Sequence, residues 1–139
     1  MTTTTSIQTL VDGPRNVVIK YEGTLTATDS AYYLVVDPST LSDFDINGVK
    51  ANRLHINKIV YDVEDLLTVN LLWQDATPSS NKIIWNLTGR GKVDARHFGG
   101  IINNGTPAPT GAITSSFDYE GSGQTLTFTI ILELVKQHT

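Results

Sequence analysis

A hydrolytic triad needs a Ser or Cys nucleophile beside a His base. This sequence offers His55, His97 and His138, far apart, with no cysteine and no Gly-x-Ser-x-Gly turn. Zinc has no more support, because neither a His-x-His nor a His-x-x-Glu-His spacing occurs. His55 falls at an outward parity of a predicted strand, His97 in a loop and His138 beside the last residue, so solvated surface is the simplest reading of all three. A calcium loop is the nearest local match. Asp43-Phe44-Asp45-Ile46-Asn47-Gly48 has the alternating oxygen ligands and the glycine that such a loop needs. Its ninth position is Ala51, however, and its twelfth is Leu54 where a bidentate Glu belongs, so a polar turn with Asx hydrogen bonds explains it better. A carboxylate pair for glycoside chemistry could be drawn from Asp62, Glu64, Asp65 and Asp75, with Asp62 and Glu64 on one strand face, but an outward solvated face explains them more simply. Gly89-Arg90-Gly91-Lys92 lacks the Ser or Thr and the strand-loop-helix setting of a phosphate cradle. The residues therefore point to no catalytic centre, no metal site and no cofactor.

What remains is a scaffold, and its elements read as strands. Nineteen Thr, five Tyr, four Phe and two Trp favour extended structure. Val17, Ile19 and Tyr21 alternate with Val18, Lys20 and Glu22 before Gly23, and Ala31 to Val36 is a continuous apolar run that stops at Pro38. Leu54 and Ile56 have even parity, whereas Ile59, Tyr61 and Val63 have odd parity. One residue near Asn57 or Lys58 must therefore be absorbed in a bulge if both halves face one core. Leu67, Val69, Leu71 and Trp73, followed by Ile83, Trp85 and Leu87, predict an antiparallel hairpin that buries both indoles. With both rings assigned to the core, sugar stacking on exposed tryptophan is the weaker alternative. Ile113 to Tyr119 reads as a short strand. Leu126, Phe128, Ile130, Leu132 and Leu134 give the cleanest alternation, expected of a central strand. A helical turn fits only in Asp37 to Leu41 or Val93 to Phe98. The expected fold is an all-β, single-domain antiparallel β-sandwich of jelly-roll type, with an open barrel as the alternative.

Two segments stand outside that pattern. Residues 1–14 open on Thr2-Thr3-Thr4-Thr5-Ser6, carry Ile7, Leu10 and Val11 as apolar anchors, and close on Asp12-Gly13-Pro14. They read as an extended N-terminal arm, either frayed or laid on a neighbour, ahead of a sandwich over residues 15–139. Phe98 to Gly111 is too rich in Gly, Asn and Pro for a regular element, yet holds Phe98, Ile101 and Ile102, which must either fold back on their own core or be covered by a partner. The candidate contact residues are thus Ile7, Leu10, Val11, Phe98, Ile101 and Ile102.

Composition narrows the partners. Ten Lys and Arg against fourteen Asp and Glu leave a net charge of −4, the wrong sign for coating nucleic acid. No apolar run reaches the length of a membrane span, and the Thr-rich opening lacks a secretory signal, so no membrane partner is expected. Without cysteine there is no disulfide frame, and packing must supply stability.

Asp12-Gly13-Pro14-Arg15-Asn16-Val17-Val18-Ile19-Lys20, Val36-Asp37-Pro38-Ser39-Thr40-Leu41, Leu71-Leu72-Trp73-Gln74-Asp75-Ala76, Phe98-Gly99-Gly100 and Thr129-Ile130-Ile131-Leu132-Glu133-Leu134 together span most of the chain. With these segments the sequence resembles small virion structural proteins of tailed bacteriophages, and among them most resembles capsid decoration, or cement, proteins. The resemblance implies a non-enzymatic protein that binds the outside of an expanded head and reinforces the shell. Its partner would be the major capsid protein, its location the capsid exterior, and its assembly a homo-oligomer, commonly a trimer. A receptor- or carbohydrate-binding module of a tail, neck or fibre is the alternative. The resemblance implies no catalytic residues.

Overall fold

The structure, a computed structural model, describes residues 3–42, 48–105 and 108–137. Among the described residues the chain forms nine strands: β1 (Thr3–Asp12), β2 (Asn16–Leu25), β3 (Tyr33–Val36), β4 (Arg53–Val63), β5 (Leu67–Asp75), β6 (Lys82–Leu87), β7 (Gly89–Asp94), β8 (Pro109–Tyr119) and β9 (Leu126–Gln137). They make two antiparallel sheets, ordered β1-β2-β9-β4-β7 and β3-β8-β5-β6, which pack face to face as a β-sandwich. Period-two alternation decides which side of each strand is buried. In β9, Leu126, Phe128, Ile130, Leu132 and Leu134 face the core, while Thr127, Thr129, Ile131 and Glu133 face out; the strand lies at the centre of its sheet, as expected.

The pairings are nested. β2 pairs with β9, β3 with β8, β4 with β7 and β5 with β6, so β2 to β9 form one long hairpin folded over itself. The contacts β4·β9 and β5·β8 then join its two arms within each sheet. The predicted bulge is present: the β4·β9 register shifts between Ile56 and Lys58, which lets Ile56 and Ile59 both enter the core. Short 3-10 turns occur at Pro38–Thr40 and Arg96–Phe98, within the two segments predicted, and also at Pro78–Ser80. Asp37 caps the first by accepting from the Ser39 amide.

Between the sheets, Tyr21, Phe128, Phe117 and Tyr33 form a chain of tilted rings with successive centroids 5.2, 5.4 and 5.5 Å apart. The Tyr21 hydroxyl and Ser115 Oγ lie 2.6 Å apart and link one sheet to the other through the core. Burial pushes the Tyr21 hydroxyl up to about 12, against the opposing effect of that hydrogen bond. Each large apolar side chain taken fully out of water contributes about 1.5–3 kcal/mol, and with no cysteine in the chain this layer carries the fold.

Two expectations need correction. Of the expected arm, residues 3–14 are described and are not apart from the sandwich: Thr3–Asp12 is β1, the outermost strand of the five-stranded sheet, paired with β2 from Thr3↔Leu25 to Asp12↔Val17. Asp12-Gly13-Pro14 is the turn of that hairpin, closed by Gly13 N donating to Asn16 O at 2.9 Å. Gly23 does not end β2 but permits β1 to dock, because a Cβ there would stand 2.4 Å from Thr4 O and 3.0 Å from the Phe128 ring. Nor are both indoles buried. Trp73 is 1% exposed, whereas Trp85, although it stands opposite buried Leu71, is 42% exposed because β6 is the outermost strand of its sheet; β6 slips by one residue only beyond it, between the pairs Leu71↔Trp85 and Leu72↔Ile83. Three consecutive apolar residues, Ile83, Ile84 and Trp85, allow either register, and the bulge at Ile84 is what turns Ile83 outward.

Candidate functional site

The most exposed large apolar side chains of the described residues are Phe98 and Ile102, at 69% and 60%. Both project from a loop that is held firmly. The bulge in β4 turns Asn57 O toward the Ala95 amide, which donates to it at 2.8 Å. Beyond the end of β7, Ile101 replaces that strand beside β4: Ile101 N donates to Ile56 O at 2.7 Å, and Ile56 N donates to Ile101 O at 3.0 Å. Gly100 N closes the loop onto Ala95 O at 2.9 Å.

This path needs glycine. Gly99 and Gly100 have φ of 84° and 90°, and a Cβ on Gly100 would lie 2.6 Å from His55 Cδ2. On the solvent side the Arg96 guanidinium forks onto Asp94, Nε to Oδ1 at 2.9 Å and Nη2 to Oδ2 at 2.6 Å. Those hydrogen bonds hold the Asp94 carboxyl well below the usual carboxylate range and raise Arg96. Of the three expected contact residues of this loop, Phe98 and Ile102 are displayed. Ile101 is instead half-buried against the core, because its backbone completes the sheet.

β1 carries the other three. Ile7, Leu10 and Val11 are 45%, 46% and 48% exposed on the open edge of the five-stranded sheet. The strand is fastened at both ends. At its start, Thr3 Oγ1 donates to Asp29 Oδ2 at 2.6 Å, and the Tyr33 hydroxyl donates to the same carboxylate oxygen. These two hydrogen bonds, with one from the Ala31 amide, lower the Asp29 pKa. At its end, the fully buried Lys136 ammonium meets Asp12 Oδ1 at 2.8 Å, Gly13 O at 2.7 Å, and Ser42 O and Oγ at 2.9 Å each. Burial raises the Asp12 carboxyl, but the hydrogen bonds from Lys136 and Ser42 outweigh it and leave its pKa below the ordinary value.

The six residues do not form one patch. Val11 opposes Val18, and the row continues through Glu133, Lys58 and Asp94 across the outer face of the five-stranded sheet. Ile102 follows Ile101 at the far side of β4, so about four strand spacings, roughly 19 Å, separate it from Val11. Between them the outer face is Thr-rich and carries a shallow groove of about 570 Å³ over Val60, Thr129 and Ile131, flanked by Asp62, Arg90 and Lys92. Asp62 and Arg90 approach to 3.4 Å in the open, an arrangement worth little in stability.

The remaining candidates fall into structural roles or outside the described residues. Asp75 is 3% exposed and accepts the amides of Thr77 and Ala108, which shapes a loop. Glu64 accepts from Thr127 Oγ1 at 2.8 Å. His55 is half-buried on the outer face, and its Nδ1 lacks a partner. His97 is exposed. Asp43, Asp45 and Asn47 of the calcium-like segment, and His138, lie outside the described residues. Among the described residues no group of three or more His, Asp or Glu is placed to hold a metal ion.

Sequence reasoning missed two further exposed apolar side chains, one on each edge of the four-stranded sheet, with Thr114 and Leu72 buried between them. Leu34, Thr114, Leu72 and Ile83 stand in one row across the outside of the four-stranded sheet, with Leu34 and Ile83 49% and 59% exposed. The continuous apolar runs Ala31 to Val36 and Ile83-Ile84-Trp85 were their traces. No protein family matches the chain, and no curated protein matches it.

Proposed function

We propose that this chain is a non-enzymatic virion structural protein that binds the outer surface of a phage capsid, against the major capsid protein, and stabilises the shell through repeated subunit contacts. The observation that carries this reading is the loop with Phe98 and Ile102. Two large apolar side chains are held out into water by a bulge, a β-bridge and two left-handed glycines, an arrangement that costs free energy in the isolated chain unless a protein surface covers it. The nested strand pairing, with eight strands in two sheets ordered β2-β9-β4-β7 and β3-β8-β5-β6, supports reading the sandwich as a jelly roll, a plan that recurs in viral capsid and lectin domains. A fold alone does not assign a function; the displayed side chains are what favour a protein partner. With many copies on a lattice, modest contacts multiply into tight association.

Cosedimentation of the purified chain with expanded heads of the encoding phage tests the reading. Wild type is expected to pellet with heads, and Phe98→Ser with Ile102→Ser to remain in the supernatant while melting as wild type does. Heads that leave the wild-type chain in solution would refute the proposal.

One observation favours a second reading. Trp85 is 42% exposed at a sheet edge, where an indole can stack on a sugar, as a carbohydrate-binding module of a tail or fibre would use it. A glycan array with Trp85→Ala as control separates the two.

A further inference from the structure

Among the described residues the two sheets leave four open strand edges, and three of them are guarded against pairing with another chain. β7 carries Arg90, Lys92 and Asp94 within six residues. β3 is only four residues long, with a register shift between Leu34 and Val36. β6 begins with Lys82 and is bulged at Ile84. β1 differs: from Thr3 to Val11 it holds no charge and no proline, and its pairing with β2 is regular from Thr3 to Thr9 before the shift at Leu10. An edge of that length with alternate N–H and C=O groups turned outward is a template for a further strand.

We propose that β1 is a homodimerisation edge, on which two copies of this chain pair β1 to β1, antiparallel about a two-fold axis, to merge their five-stranded sheets. A second copy fits on charge. The whole chain is at −4, so two copies repel weakly, but the only charged residue of β1, Asp12, lies beyond the regular ladder and is already paired with Lys136. The symmetry restricts the register, and the extent of the regular ladder selects its centre. A two-fold perpendicular to an antiparallel ladder passes between directly opposed residues, so one residue must face its own copy. Ser6 is the midpoint of Thr3–Thr9, which sets Thr5 against Ile7 of the second copy and Thr3 against Thr9. The two Ile7 side chains, each 45% exposed alone, then lie on the diagonal, about 7–8 Å apart and within reach of one another. Because Asp29 and Lys136 fasten β1 at its two ends, pairing requires little ordering of a loose segment. An isologous pair closes at two copies, not the three that the resemblance implies. The inference does not rest on capsid binding, since it concerns the purified chain alone.

Sedimentation velocity over a concentration series of the full chain tests it. The expected species has twice the 15.2 kDa chain mass. Ser6→Lys places two ammonium groups against each other and is expected to weaken the dimer about tenfold or more. Within one chain the new lysine stands opposite Glu22, so the fold is retained, as circular dichroism will show. Mixing Ser6→Lys with Ser6→Glu is expected to restore a heterodimer. Amide exchange of wild-type β1, slowing as concentration rises, supplies a readout that needs no variant. A chain that stays monomeric at its highest soluble concentration, a trimer, or a dimer that Ser6→Lys leaves intact would overturn the proposal.

Discussion

β1 and the loop from Ala95 to Ile102 both present apolar side chains to water, but they are restrained in opposite ways. β1 is held by polar groups at its two ends, with Thr3 on Asp29 and Asp12 on Lys136, while its middle lies as a regular ladder beside β2. The loop is held through its backbone, by the bulge at Asn57, the bridge of Ile101 to Ile56 and the turn at Gly99 and Gly100, while its apolar tip is free. The first arrangement leaves a long uniform edge, suited to strand pairing; the second leaves discrete knobs, suited to insertion in a cavity. Restraint by ionised groups responds to pH and charge, and restraint by backbone geometry responds to Cβ atoms.

The largest expected effect is on β1. Lys136→Met removes the buried ammonium that Asp12, Gly13 O and Ser42 share, leaving part-buried acceptors without it. A loss of about 3 kcal/mol is expected in denaturant unfolding, at the low end for a broken buried pair because Asp12 retains access to water. The loop has no bond to this cluster, so its amides should keep their relative protection. Gly100→Ala strikes the other region. The positive φ and the 2.6 Å approach to His55 Cδ2 make a loss of about 1–3 kcal/mol the expected result, with faster exchange at Ile56 and Ile101 and none at β1.

Acid gives the smallest and most selective change. Asp12 and Asp29 both have lowered pKa values in the folded chain, so their stabilisation is complete above the unfolded carboxylate value, near about 4. It is lost as pH falls through the lower folded values. Exchange of β1 amides should therefore accelerate below about pH 4 ahead of β9, its neighbour but one. Equal acceleration of both strands would show that Asp12 and Asp29 are not what restrains β1.

Legibility in the sequence followed the strength of the alternation. Leu126 to Leu134 identified the central strand, and the parity change between Ile56 and Ile59 located the bulge, because a residue that must be absorbed leaves a trace in the pattern of apolar positions. The bulge at Ile84 left none, since three apolar residues in a row satisfy both registers, so Ile83 was given the inward parity of Trp85 and Leu87; Trp85 has that parity but is exposed because alternation does not reveal that β6 is an edge strand. β1 was hidden for another reason: Thr, Ser and Gln on an edge strand need bury nothing on either side, so no alternation marks them as strand. Ile101 was indistinguishable from Phe98 and Ile102 until a backbone pair with Ile56 drew it inward.

By itself the sequence determined the all-β class, most of the strands and their inward faces, because period two and turn residues act over a few neighbours. The edge position of β1, the partners of Lys136, the outward aim of Phe98 and Ile102 and the nesting of β2 to β9 were decided by tertiary structure. Each depends on hydrogen bonds and registers between segments as far apart as Gly13 and Lys136, and local residue pattern carries no information about which distant backbone group will be the partner.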